Sequence, residues 1–345
     1  MFIKKILIII QPVLAICMGL FIGLMIAYGL GENPWSVLKI LVNGAFGSTH
    51  DLASTLFYTT PLIFTGLSVT IAFQCGLFNI GAEGQLLSGA FAATTVGILF
   101  ANLGSPLAPF IAICASFIGG ALWGFFAGYL KAKRGSHEVI NTIMLNFIAV
   151  GITSWLTLYV FPNRGTQNPE TQEIAAQFRV PSLFLTEHAT VNFSFFLALL
   201  VAVLTWFFLW KTVLGYKLRA TGQNITAARL SGISVNQMQI LAMVLAGGVA
   251  GLVGVAEILG QAGKFRIGFS PEYGFMGIAV SLLGRNKPLG VVLSALLFGA
   301  LHKGTMNLDL ETENITRDLS LVFEALIILS VTAEGLWSYI LERRK

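Results

Sequence analysis

The chain has 345 residues, of which 55% are hydrophobic and only 11% charged, with 21 Lys and Arg against 16 Asp and Glu. A soluble domain carries roughly 25% charged residues, so this composition leaves no room for one. The net charge of +5 calls for no nucleic-acid partner, because basic loops on one side of a membrane account for it.

Mean hydropathy is +0.79, and apolar runs of about 20 residues recur along the chain, each long enough to cross a hydrocarbon core of ~30 Å. The reading is an all-α polytopic membrane protein. The first run, residues 6–30, follows Lys4 and Lys5. It is too long for the core of a signal peptide and lacks a convincing cleavage site, so it is read as a retained first span. An amphipathic segment at Pro34–Phe46 is placed on the outer surface. Further spans are predicted near 54–74, 84–102, 107–130, 138–161, 192–210, 238–260, 273–284, 288–303 and 319–341. Membrane lipid is therefore the surrounding partner, in a cell (inner or plasma) membrane. Cys17, Cys75 and Cys114 fall in or beside apolar runs, which argues against a disulfide framework.

Ten spans place both termini on one side. With the N-terminus inside, 14 of the 21 basic residues fall on inner loops, among them Lys131, Lys133, Arg134, Lys217, Arg219 and Arg229. A one-span error would scramble that sorting, so the expected orientation is N-in and C-in. Residues 162–191 form the large external loop. Residues 211–237 form a cytoplasmic loop with four basic residues and no acid.

The stretch from Cys75 to Ala90 carries four glycines together with Asn79, Glu83 and Gln85. Glycine is costly inside a helix, and a carboxylate at membrane depth is costly unless it faces protein or water. Broken backbone and polar groups at that depth are tolerated where they line a cavity. Asn79, Glu83 and Gln85 are therefore candidate substrate-path residues. Glu83 has a second reading, as an acceptor for N–H groups that holds a bent backbone. Asn141, Thr142 and Asn146, along the fifth predicted span, are further path candidates; interhelical hydrogen bonding is the other role open to them. Phe78, Phe269, Tyr273 and Phe275 have the chemistry to stack on a base, although packing explains phenylalanines equally well in a chain with 27 of them. Glu257 and Glu334 are placed near span ends, and Glu324 about two turns inside the last span.

The two halves, about 54–161 and 238–341, resemble each other weakly, chance likeness between apolar helices being the other reading. Phe78-Asn-Ile-Gly-Ala-Glu-Gly84 corresponds to Phe269-Ser-Pro-Glu-Tyr-Gly274, and Gly120-Ala-Leu122 to Gly299-Ala-Leu301. An offset of five spans, an odd number, puts matched segments in opposite orientations, so the single domain 1–345 is read as an inverted internal repeat. Paired Gly- or Pro-interrupted segments in such repeats point to a transporter's central site. The sequence contains no Gly-x-x-x-x-Gly-Lys-Ser/Thr phosphate loop, no metal-ligand cluster and no catalytic constellation. Residues 221–233 are open to two readings, an ordinary basic loop on the inner side or a short surface helix. Thr221 or Asn224 caps it, Ala227, Ala228 and Leu230 let it pack closely, Arg229 offers a bidentate donor and Gly232 ends it.

Gly76–Gln85, Ser136–Asn146, Thr221–Ile233 and Phe269–Gly284, in this order along essentially the whole chain, resemble the permease subunits of ATP-driven (ABC) importers. The branch is that of ribose and other simple-sugar permeases, and the likeness is strongest to nucleoside-importer permeases. The resemblance implies about ten transmembrane helices in a type II importer-like permease. It also implies a second permease subunit, often a different chain, a separate ABC ATPase subunit and an extracytoplasmic substrate-binding lipoprotein. Thr221, Asn224, Ala227, Ala228, Arg229, Leu230 and Gly232 then become the ATPase-coupling surface. This chain itself would be non-catalytic, with no cofactor of its own, ATP and Mg being held by the partner ATPase. The alternative is an ion-coupled secondary transporter of a small polar solute, for which Glu83 and Glu324 are the plausible ion-site carboxylates.

Overall fold

The structure, a computed structural model, describes residues 17–104, 107–183 and 191–316, with isolated helical positions beyond them at 319, 322, 325, 326 and 329. Its elements are helical, and among the described residues the only strand-like pairings are three isolated bridges. The chain divides into two compact units, one formed by residues up to Tyr58 with those from Leu296 onward, the other by Thr59–Ala295.

In the first unit, α1 (Cys17–Gly29) is followed by α2 (Pro34–Phe46). Asn33 starts α2 by accepting from the Trp35 N–H at 2.9 Å, and Pro34 occupies the first turn, where its missing N–H costs nothing. This helix lies where the sequence places its amphipathic segment. The start of α3 (Thr49–Gln74) and the end of α12 (Pro288–Glu311) complete the unit. Ala27, Val37, Leu41, Leu308 and Ile315 form its buried cluster, and Lys303 pairs with Asp51 at 3.4 Å.

The second unit holds the remainder of α3 and α12 together with α4 (Ala82–Leu99), α5 (Leu107–Arg134), α6 (Glu138–Trp155), α7 (Ser194–Lys211), α8 (Val213–Gln223), α9 (Ile225–Leu230), α10 (Val235–Gly251) and α11 (Tyr273–Leu283). Wide π turns extend two of them, Leu156–Val160 after α6 and Val255–Ala262 after α10. The core is the contact of α5 with α10, made backbone to backbone through small residues. A Cβ on Gly120 would collide with the Gly247 carbonyl, one on Gly124 with the Met243 carbonyl, and one on Gly251 with the Ser116 carbonyl. In lipid, where apolar side chains gain little by leaving one neighbour for another, such close approach is what joins helices.

Helix occupies the second to ninth positions predicted for spans and the described part of the first, from Cys17 onward; residues 6–16 of the first, and the tenth, 319–341, apart from its isolated positions, lie outside the described residues. Six of these segments are long and apolar enough to cross a membrane: Thr49–Gln74, Leu107–Arg134, Glu138–Val160, Ser194–Lys211, Val235–Ala262 and Pro288–Glu311. Between α6 and α7 the loop is tied to the segment after Ala262. Glu170 is buried and bonds Lys264 at 2.7 Å and Arg266 at 3.3 Å, with Asn163 and Thr166 donating to the same carboxylate at 3.1 Å each. The Lys264 ammonium, more than any other neighbour, holds the Glu170 carboxyl below its ordinary value.

Candidate functional site

The site is built around the break between α3 and α4. Helix α3 closes on Gly76 (φ 73), with the Leu77 N–H returning to the Ala72 carbonyl, a left-handed stop that glycine adopts at no steric cost. The chain then turns back and starts α4 at Ala82. Asn79 Nδ2 donates to Gln85 Oε1 at 2.8 Å, and Gln85 Nε2 donates back to Asn79 Oδ1 at 3.1 Å. Asn79 Oδ1 also accepts from the Gly81 N–H, and its Nδ2 reaches Ser68 Oγ at 3.3 Å. Both amides are fully buried. The sequence reading sets them against a solute; their hydrogen-bonding groups are instead turned on each other and on the backbone.

Asn146, from α6, clamps the same turn. Its Oδ1 accepts the Gly84 N–H at 2.8 Å and its Nδ2 donates to the Ile80 carbonyl at 3.0 Å. The Gly84 N–H is one of the donors that the start of a helix leaves without a partner, and the Ile80 carbonyl belongs to the turn that leads into it. Thr142, one turn earlier, is buried against Gly81 and bonds back to the Glu138 carbonyl at 2.8 Å. Asn141 points elsewhere and pairs with Ser136 Oγ at 2.6 Å beside the start of α6. Of the three α6 candidates, Thr142 and Asn146 meet the turn and Asn141 does not.

Glu83 reaches outward from the turn. Its Oε2 accepts the Gly274 N–H at 2.8 Å, in the first turn of α11, and its carboxyl also bonds the Ser270 side chain. Its reading as a holder of bent backbone describes this geometry. Two helix N-termini, those of α4 and α11, meet here with a carboxylate between them, the sign their dipoles favour. Gly274 allows the approach: a Cβ there would collide with the Glu83 N–H.

The depth of this meeting point follows from α11, which runs beside α3 in the same direction. Gly277 abuts Thr65, Val280 abuts Gly66, Ser281 bonds Thr70 at 2.7 Å, and Gln74 Nε2 donates to the Asn286 carbonyl at 2.9 Å. Carried back one turn, the register sets residues 272–274 beside about residue 61 of α3. That lies ~20 Å from the Gln74 end at ~1.5 Å per residue, well inside a hydrocarbon core of ~30 Å.

Two features escape the sequence reading. Glu257, expected near a span end, is buried in the wide turn after α10; its carboxyl bonds Tyr273, and its Oε1 has no hydrogen-bond partner among the described residues. The other is the contact between Gly76 and Gly222 of α8, whose Cα lies 3.2 Å from where a Cβ on Gly76 would stand. The turn before α4 thus rests directly on α8. A glycine in each motif is the only sequence trace of that contact.

Beyond Gly222 the chain forms α9. Asn224 caps it, accepting from the Ala227 N–H at 3.0 Å. Thr221 is no cap: it is buried within α8 and bonds the Lys217 carbonyl at 2.9 Å. Ala228 packs inward, whereas Ala227, Arg229 and Leu230 face out, Leu230 being 86% exposed. Gly232 (φ 77) ends the helix, with the Ile233 N–H returning to Ala228. Of the three residues expected to pack closely, only Ala228 does so among the described residues, and an apolar side chain is left on the surface beside the exposed Arg229.

A family model described as "Branched-chain amino acid transport system / permease component" matches residues 52–332. Among relatives, the guanosine ABC transporter permease protein NupP of Bacillus subtilis (strain 168) is 38% identical over 97% of this chain and 96% of its own. The nucleoside ABC transporter permease protein NupB of Lactococcus lactis subsp. cremoris (strain MG1363) is 32% identical over 97% and 93%. The glucose ABC transporter permease protein TsgB13 of Haloferax volcanii is 32% identical over 92% and 85%.

Proposed function

The chain belongs to the branched-chain amino acid transport system / permease component family, and from that premise we propose that it is the translocation subunit of an ATP-driven nucleoside importer. It carries no catalysis. A separate ABC ATPase subunit hydrolyses ATP, a second permease subunit completes the path, and a binding lipoprotein delivers the solute from outside. The N- and C-termini and the 211–237 loop lie in the cytoplasm, and the 162–191 loop lies outside. A nucleoside is preferred over a simple sugar as cargo because the nucleoside permease relatives align over more of both chains.

The observation that carries this reading is the contact of Gly222 with Gly76. It joins the surface unit α8–α9 to the turn from which α4 rises, so a push on α9 reaches the broken-helix site through backbone rather than through flexible side chains. The exposed Leu230 and Arg229 offer an ATPase one apolar and one bidentate contact. Within the path, Asn79, Gln85, Thr142 and Asn146 hold the turn, and Glu83 ties it to α11. Closure of the ATPase pair then rocks the two segments about the Glu83–Gly274 link.

Arg229→Glu and Leu230→Asp test the coupling surface. Both lie on exposed positions, so each variant is expected to insert and fold normally while losing copurification with its ATPase and ATP-dependent uptake. Copurification and uptake at wild-type levels in both variants would remove α9 from the coupling role.

A further inference from the structure

Glu272 opens α11 in a left-handed backbone conformation (φ 64) with its side chain exposed. By the register of α11 on α3 it stands ~20 Å from the Gln74 end, at membrane depth. A charged side chain exposed there does not face lipid, and irregular backbone such as the approach to α11 survives at that depth only against protein or a water-filled cavity. The outward side of α11 continues through Phe275 and Leu282, each 42% exposed. Behind it, at the neighbouring Tyr273, Glu257 is 9% exposed and its Oε1 lacks a donor among the described residues. Glu83, by contrast, is already committed to the Gly274 N–H and Ser270.

We infer that Glu272 and Phe275 form the solute-contacting surface of the path and that the solute they suit is a ribonucleoside. The inference rests on the importer reading above. Two adjacent ribose hydroxyls match the two acceptor oxygens of one carboxylate, while the Phe275 ring, one turn along, offers a flat apolar face to the base. A strained backbone at a non-glycine position is a recurrent mark of ligand-holding residues.

The test uses the complete importer with its binding protein in proteoliposomes, and measures ATP-driven uptake of guanosine and of its 2′,3′-dideoxy analogue, each normalised to capture by the binding protein. Glu272→Gln is expected to lower guanosine uptake about tenfold, the worth of one charge-assisted bond, and to leave the dideoxy analogue unchanged. Glu272→Gly, which relaxes the backbone, is expected to raise the melting midpoint while lowering guanosine uptake as far. In a background without Cys17, Cys75 and Cys114, Phe275→Cys is expected to react with a membrane-impermeant cationic thiol reagent and to be protected by guanosine, whereas Phe147→Cys on α6 does not react. Wild-type guanosine uptake in the Glu272→Gln variant, or a Phe275→Cys thiol that never reacts in a transporting assembly, would overturn the inference. Failure of the wild-type assembly to take up guanosine with ATP would instead fault the importer reading.

Discussion

Asn146 and Asn141 sit five residues apart on one helix and do different work. Asn146 satisfies both a backbone donor and a backbone acceptor of the turn before α4, whereas Asn141 bonds a serine near the start of α6. Leaving two buried backbone groups without partners costs about 2–4 kcal/mol, and losing one partly exposed side-chain bond costs about 1 kcal/mol or less. Asn146→Leu is therefore expected to lower the unfolding midpoint in detergent sharply and to abolish uptake, and Asn141→Leu to change both little; equal effects would contradict the assignment. The sequence marks Asn141, Thr142 and Asn146 of α6 as unusual, but helical spacing alone does not say which meets a partner 62 positions away. Outside the membrane the same scale gives a pH dependence. Lys264 holds the Glu170 carboxyl below its ordinary value of 4.5, so its contribution to stability is fully present above that pH and is lost as pH falls through the lowered value. Protection of the amides across residues 162–172, each exchange rate taken relative to its intrinsic rate at that pH, is expected to be full at pH 6 and to be lost as pH falls through the lowered Glu170 value, with Glu170→Gln abolishing that pH dependence. Protection relative to the intrinsic rate that persists unchanged in acid would show that the ion pairs are not what orders the loop.

At the scale of elements, much of the architecture was legible because long apolar runs have few alternatives in a membrane: the chain must satisfy its backbone internally and form helix. What could not be read were the places where helices touch. The glycines of α5 and α10 look like ordinary membrane glycines until Gly120 is seen against the Gly247 carbonyl and Gly124 against that of Met243. Gly124→Leu is expected to force α5 from α10 and leave little folded permease, measured as the monodisperse fraction after detergent extraction. Gly151→Leu on α6, where a Cβ meets nothing within 4 Å, is expected to be tolerated. A Gly124→Leu protein as abundant and as stable as wild type would mean that this contact does not hold the core. The wide turn after α10 was illegible for another reason: Val255–Ala262 continues the same apolar run, and nothing in its composition announces a π turn or the burial of Glu257.

For the whole molecule, the matched segments 78–84 and 269–274 lead into α4 and α11, whose N-termini meet at Glu83 and Gly274. The pairing of these two stretches was readable from their shared Gly-interrupted pattern. That Asn79 and Gln85 face each other rather than a cavity was not, because an amide's partner is set by a turn whose shape emerges only on folding. In the function proposed above, ATP, acting through a partner docked on α9, drives solute past this site. The most direct measurement is nucleoside uptake into proteoliposomes holding this chain, its partner permease, the ATPase and the binding protein, with ATP supplied on the ATPase side and proton and sodium gradients collapsed. Uptake that continues without gradients and stops when ATP is withheld is the predicted result; uptake that follows an imposed proton or sodium gradient and ignores ATP would contradict it.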